Sequence, residues 1–164
     1  MRKVIIILMF VAALAACTNI DCPVKNLVYT NYALKKADGT ADTLKTDSLW
    51  IWTKRVDGSD TLLLNGLCGV TASKFSLQIS HTQPEDVFFT LLKNTAGTIL
   101  RDTFRIKKKD IPHFESVDCQ AAYFHELEAV STTHHALDSI TINYRHVNYD
   151  VSNTHYHIYF KAQR

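Results

Sequence analysis

Glycine and proline are scarce in this 164-residue chain, five and three residues respectively, and neither gathers into a linker, a repeat or a low-complexity tract. A chain punctuated so sparingly carries no flexible joint between domains, and its length suits one domain with a real hydrophobic core. Four cysteines are too few to staple a scaffold that lacks a core, and their spacing matches no zinc site. No apolar run approaches the roughly 20 residues that a membrane-spanning helix requires. An excess of one charge is missing as well, with 18 basic residues facing 16 acidic ones. Arg2 and Lys3 supply that small surplus, so the rest of the chain is formally neutral and offers no electrostatic footing for nucleic acid. There is no Gly-x-Ser-x-Gly elbow, no phosphate-cradling glycine loop and no His-Glu-x-x-His. No reaction is named by motif.

What is present begins at the N-terminus. Arg2 and Lys3 precede an apolar run from Val4 to Leu14, the layout of a secretory signal peptide. Leu14-Ala15-Ala16-Cys17 then resembles a lipobox, in which small side chains let a signal peptidase reach the bond before a cysteine whose thiol accepts a diacylglycerol group. The sequence therefore predicts a signal over 1–16, a lipidated Cys17 and a tether over 17–26. A single domain over 27–164 follows. Each buried CH₂ contributes about 0.8 kcal/mol, so two or three acyl chains would hold the protein on its membrane permanently. The tether is short. From Cys17 to Cys22 an extended chain reaches no more than roughly 18 Å, which would keep the domain close to the lipid.

Beyond the tether the chain is written in the period of a β-strand, apolar and polar residues alternating between turns. The pattern predicts strands over 27–34, 49–54, 61–64, 75–79, 87–92, 99–106, 121–130, 140–151 and 155–161. Ala37-Asp38-Gly39-Thr40 and Asp57-Gly58 read as tight turns. Lys107-Lys108-Lys109 reads as a solvated charge run that ends its strand. Strands with short turns and almost no helix point to an all-β fold, an antiparallel β-sandwich of about eight strands with immunoglobulin- or transthyretin-like architecture.

Three groups of residues are candidates for chemistry. With Cys17 consumed by lipid, Cys22, Cys68 and Cys119 make one disulfide and one spare thiol in an oxidising compartment. Cys22 and Cys119, both preceded by aspartate at strand entrances, form the preferred pair, against the alternative that all three stay reduced. Cys68 sits in the glycine-flanked Gly66-Leu67-Cys68-Gly69, read as a turn. Six of the eight histidines lie between His125 and His157. His155 and His157 would share a strand face, with His134-His135 as a further ligand pair and Asp138 or Asp150 as a carboxylate, a set that suits zinc or copper. The plainer reading places Tyr156, Ile158 and Phe160 in the core and leaves both strand histidines in solvent. Trp50 and Trp52 share one strand face, where they would stack on sugars if exposed or pack as sheet residues if not. No cofactor is expected apart from such a metal ion.

Several short stretches carry a family likeness: Ile20-Asp21-Cys22-Pro23, Asp60-Thr61-Leu62-Leu63-Leu64-Asn65, Asp118-Cys119, Ala122-Tyr123-Phe124-His125 and Leu137-Asp138-Ser139-Ile140. In these the chain resembles a family of Bacteroidota lipoproteins, a domain of unknown function. The resemblance implies a cell-envelope location, with the outer membrane favoured, and brings no catalytic residues. In such lipoproteins an acidic stretch after the cysteine favours export to the surface. Only Asp21 is available here, which favours the periplasmic face. The expected role is a non-catalytic binding or accessory module for an envelope protein or glycan, with a metal-binding protein and an envelope hydrolase as alternatives.

Overall fold

Alternating side chains become strands wherever one face of the pleat can be buried, and in the computed structural model, which describes residues 27–162, this happens ten times. The predicted signal over 1–16, Cys17 and Cys22 lie outside the described residues. The strands are β1 (Tyr29–Lys35), β2 (Lys45–Lys54), β3 (Asp60–Gly69), β4 (Lys74–Gln78), β5 (Glu85–Lys93), β6 (Ile99–His113), β7 (Ala122–Thr132), β8 (Leu137–Ile142), β9 (His146–Val147) and β10 (Tyr156–Phe160). They form a four-stranded sheet in the order β4-β1-β10-β8 and a six-stranded sheet in the order β3-β2-β5-β6-β7-β9. The protein is an all-β sandwich, with no helix among the described residues.

One pairing departs from the antiparallel expectation. β1 and β10 run parallel, with Tyr32 beside Tyr156 and Leu34 beside Ile158. Strands far apart in sequence meet here without a hairpin, so nothing obliges them to run in opposite directions. The pairing also puts Tyr32 and Tyr156 into the core, stacked at 5.1 Å, with Phe75 stacked on the other face of Tyr32 at 4.8 Å. From the larger sheet Leu49, Ile51, Phe88, Phe104, Ile106 and Leu127 pack against them, all essentially inaccessible. Each such side chain contributes roughly 1.5–3 kcal/mol on burial.

Four sequence expectations need correction. Cys68 is not in a turn. β3 continues through it to Gly69, because bulges against β2 absorb the irregular backbone of Gly66, whose φ is +65°. The predicted strand over 140–151 is two pieces: β8 ends at Ile142, β9 has two residues, and Asn148 to Thr154 cross to the other sheet. Lys107-Lys108-Lys109 does not end a strand either. β6 runs on to His113, and its alternation continues, so Lys107 and Lys109 stay in solvent while Lys108 turns inward. His155 is fully buried, not solvated, for reasons given below.

The connections define two ends. The chain enters at a proximal end, where Tyr29 lies beside Gln78 and where the β2–β3, β4–β5 and β6–β7 connections gather. The distal end carries the β5–β6 and β7–β8 turns and the close of β10.

Candidate binding cleft

At the proximal end the β2–β3 hairpin and the β4–β5 crossover stand apart, leaving a cavity of about 400 Å³. Ile79, Leu63 and Phe88 give it an apolar wall, Arg55 and Lys54 a basic rim, and Thr61, Ser80 and Asp86 its polar groups. The Asp57-Gly58 turn shapes the hairpin, since Gly58 takes a left-handed φ of +82° that only glycine adopts freely. The cavity lies at the small end of the range for sites that hold small molecules.

Asp86 lies buried on the inner face of β5. Its carboxylate accepts a long hydrogen bond from the Ser80 amide, 3.2 Å to the nearer oxygen, and faces the Lys108 ammonium at 3.7 Å. Burial pushes its pKa up to about 6, only partly offset by Lys108 and Ser80, while the neighbouring Asp110 charge pushes the same way. Behind it, Lys108 donates to the Gln83 carbonyl at 2.8 Å and to Asp110 Oδ1 at 2.9 Å. Asp110 in turn accepts from His125 Nδ1 at 2.6 Å. Burial holds His125 below its ordinary pKa, although the Asp110 hydrogen bond pulls it upward. A lysine with no exposed side chain is tolerated because all three of its protons have somewhere to go.

Two features mark the cleft as more than a gap between loops. The Thr61 hydroxyl is buried on its edge and has no hydrogen-bond partner among the described residues. Native proteins seldom leave such a group unpaired. His81, also lining the cleft, is stacked flat on Tyr123 at 4.7 Å, which fixes the crossover against β7.

The residues singled out in the sequence are spread around this site. Trp50 and Trp52 project half-buried from the outer face of the larger sheet. Trp50 Nε1 donates to Asn65 Oδ1 at 3.2 Å, and its ring lies over Gly66, where a Cβ would come within 3.4 Å. Trp52 stacks on Phe89 at 6.0 Å. They pack as sheet residues with one edge open to solvent. His155 is buried because both ring nitrogens are engaged: Nδ1 accepts from the Asn31 amide at 2.9 Å, and Nε2 donates to the His146 carbonyl at 3.2 Å. His157 lies on the outer face of the smaller sheet, and His134 and His135 lie in the distal turn. His134 donates its Nδ1 proton to the Asp138 carbonyl, and Asp150 caps its own turn by accepting from the Ser152 amide. Among the described residues no group of three or more His, Cys, Asp or Glu side chains is placed to hold a metal ion. Cys68 is a free, exposed thiol, and Cys119 is disulfide-bonded. Its expected partner, Cys22, lies outside the described residues.

Sequence reasoning missed Asp86, Lys108, Thr61 and Asp110. A clue was available for Lys108 and Asp110, because the alternation of Leu100, Phe104 and Ile106 extends onto both. The alternation of Phe88, Thr90 and Leu92 reaches back to Asp86 in the same way, but nothing local brings Asp86 and Thr61 together, which only tertiary structure does.

A two-sheet β-sandwich with a part-polar cleft between its terminal loops, backed by a buried charge network, describes the class of protein. The chain belongs to a family of unknown function (DUF6452), whose model matches residues 48–160. That span holds the cleft, the charge network and Cys119. No curated protein and no solved structure matches the chain.

Proposed function

We propose that this protein is a lipid-anchored envelope module, held by Cys17 at the periplasmic face of the outer membrane, that binds a polyhydroxylated envelope glycan in its proximal cleft without transforming it. The observation that carries this reading is the buried, unpartnered Thr61 hydroxyl beside the cleft that Asp86 also lines. The hydroxyl is closed to solvent as it stands, and rotation about the Thr61 Cα–Cβ bond would turn it into the cleft, where a sugar hydroxyl would give it its missing hydrogen bond. Asp86, above pH 6 a carboxylate with only one long hydrogen bond, would accept a second. Ile79, Leu63 and Phe88 offer the apolar surface against which a sugar ring's C–H face packs. Glycosidic hydrolysis by the usual route needs two carboxyl groups flanking the scissile bond. Asp86 is the only carboxylate among the described residues lining this cleft, and Asp110 and His125 stand behind Lys108. That favours binding over catalysis.

The test is calorimetric titration of the lipidated chain in detergent with solubilised envelope oligosaccharides, wild type against Thr61→Val. The substitution keeps the shape and removes the hydroxyl. Loss of one such hydrogen bond, about 1–1.5 kcal/mol, should weaken affinity roughly tenfold. Equal affinity of the two proteins, or no binding by either, overturns the proposal. Mass spectrometry of the membrane-extracted protein checks the anchor, with a diacylglyceryl adduct expected on Cys17.

A further inference from the structure

The β6–β7 connection carries Val117, the most exposed large apolar side chain among the described residues, together with Phe114; Ile111 stands near the close of β6, and Val56, 84 % exposed, lies in the β2–β3 turn at the same end. Phe114 is 65 % exposed, Val117 98 % and Ile111 42 %. Asp110 to His113 separate Phe114 and Val117 from Lys107 and Lys109, which stand in solvent on the last part of β6, with Glu85 opposite Lys107 and Glu126 opposite Lys109 in the register. Bulky apolar groups with no cover, beside cationic side chains, form the kind of surface that sits in the interfacial zone of a bilayer, the apolar groups among acyl chains and the lysines at phosphates. Two observations say which surface covers them. The described chain begins at this same end, with Leu27 exposed and Val28 already in the core. Cys119, two residues after Val117, is disulfide-bonded while Cys68 is free.

We infer that Phe114 and Val117 insert into the surface of the membrane as a second, non-covalent contact that orients the domain, with Lys107 and Lys109 against anionic headgroups. The inference rests on lipidation of Cys17. With that thiol acylated, Cys22 is the cysteine left for Cys119, and the five residues from the lipid to Cys22 span at most roughly 18 Å. The loop bearing Phe114 and Val117 is then held within reach of the bilayer whatever angle the tether takes. Glu115, between the two, keeps its carboxylate at the headgroup level, where His113 Nε2 meets it at 3.0 Å. Asp118 is exposed on the far side of Val117 in sequence and remains at the water boundary.

The experiment places a Phe114→Trp variant of the full lipidated chain in vesicles of phosphatidylethanolamine and phosphatidylglycerol. Its fluorescence is compared with that of the wild type, which supplies the background from Trp50 and Trp52. Lipids brominated near the headgroup end of their acyl chains should quench the added emission at least twofold and shift it to the blue. Removing the clamp with Cys119→Ser should lower the quenching while the protein still floats with the vesicles. Solvent-like, unquenched emission from protein that floats overturns the inference and leaves the anchor reading standing. Blue-shifted emission that no brominated lipid quenches overturns it too, by showing that the chain's own tether covers the loop. Failure to float removes the anchor, and this inference with it.

Discussion

Two aspartates sit buried on the inner faces of neighbouring strands, four residues apart in register, and their surroundings could hardly differ more. At the distal end Asp102 accepts four hydrogen bonds: from Thr133 Oγ1 at 2.7 Å and from the amides of His135 at 2.7 Å, Ala136 at 2.7 Å and Leu137 at 2.9 Å. Burial alone would raise its pKa, but these bonds outweigh it and hold the carboxyl below its ordinary value. At the proximal end Asp86 has one long hydrogen bond and a lysine at 3.7 Å, and its pKa is pushed up to about 6. On the proposed reading the difference separates a structural carboxylate from a binding one. Asp102 is a fully satisfied anion that shapes the β7–β8 turn, whereas Asp86 keeps acceptor capacity that the fold does not use, and it keeps it where a cavity opens.

The strongest way to break this comparison is to remove the distal partner. Asp102→Ala strands three backbone amides and a hydroxyl and should destabilise by about 4 kcal/mol, read from urea unfolding. A loss under about 1 kcal/mol would deny Asp102 its structural role. Lys108→Met comes next. It leaves Asp110 and Asp86 facing each other in the interior without a cation and should cost about 3 kcal/mol at neutral pH. The same measurement should show the loss shrinking on acidification, as Asp86 takes up its proton.

A smaller and more diagnostic effect is the pH dependence of Asp86→Asn. Because the folded pKa of Asp86 is raised to about 6, the native state binds its proton more readily than the unfolded chain. The ionised carboxylate therefore costs stability above pH 6, and that cost fades as pH falls from 7 towards 4. At about 1.4 kcal/mol per pKa unit the difference approaches 3 kcal/mol at most. The amide should therefore stabilise the protein at pH 7.5 and lose that advantage below pH 5. His125 acts in the opposite sense, its lowered pKa weakening the fold as pH drops below 6.5. Subtracting the two proteins' unfolding curves isolates Asp86, and a difference curve without an inflection near pH 6 would refute the assignment. Asp102 behaves in reverse: its contribution is complete above the ordinary carboxylate range and is lost as pH falls through its lowered folded value. Smallest of all, Thr61→Val should change stability by no more than about 0.5 kcal/mol while weakening glycan binding. A large stability loss would mean that the hydroxyl supports the fold after all.

Much of this architecture was legible in the residue order. Phe75, Leu77 and Ile79 alternate with polar neighbours and do line the core from β4 and just beyond it; Leu49 and Ile51 do face inward while Trp50 and Trp52 face out. The segment from Phe124 to Glu128 is strand, inside the span predicted over 121–130. The site was far less legible. Lys108 looked like the middle of a solvated run because charge outweighed periodicity, yet period two turns every second residue inward however polar it is. His155 looked exposed because its partners, the Asn31 amide and the His146 carbonyl, come from distant strands. Asp86 and Thr61 belong to different strands that are not even neighbours in the sheet.

By itself the sequence determined the period of the strands, the places of the tight turns, the electrical neutrality of the chain beyond its first residues and the lipobox-like approach to Cys17. These are local properties, set by the pleat of one strand, the φ of a glycine or a count of charges. Tertiary structure alone decided which charged and polar groups are buried together and which are left partly unsatisfied. Alternation says only that two residues share a face. Whether that face meets a core, a partner or a cavity depends on which strands from elsewhere in the chain are packed against it.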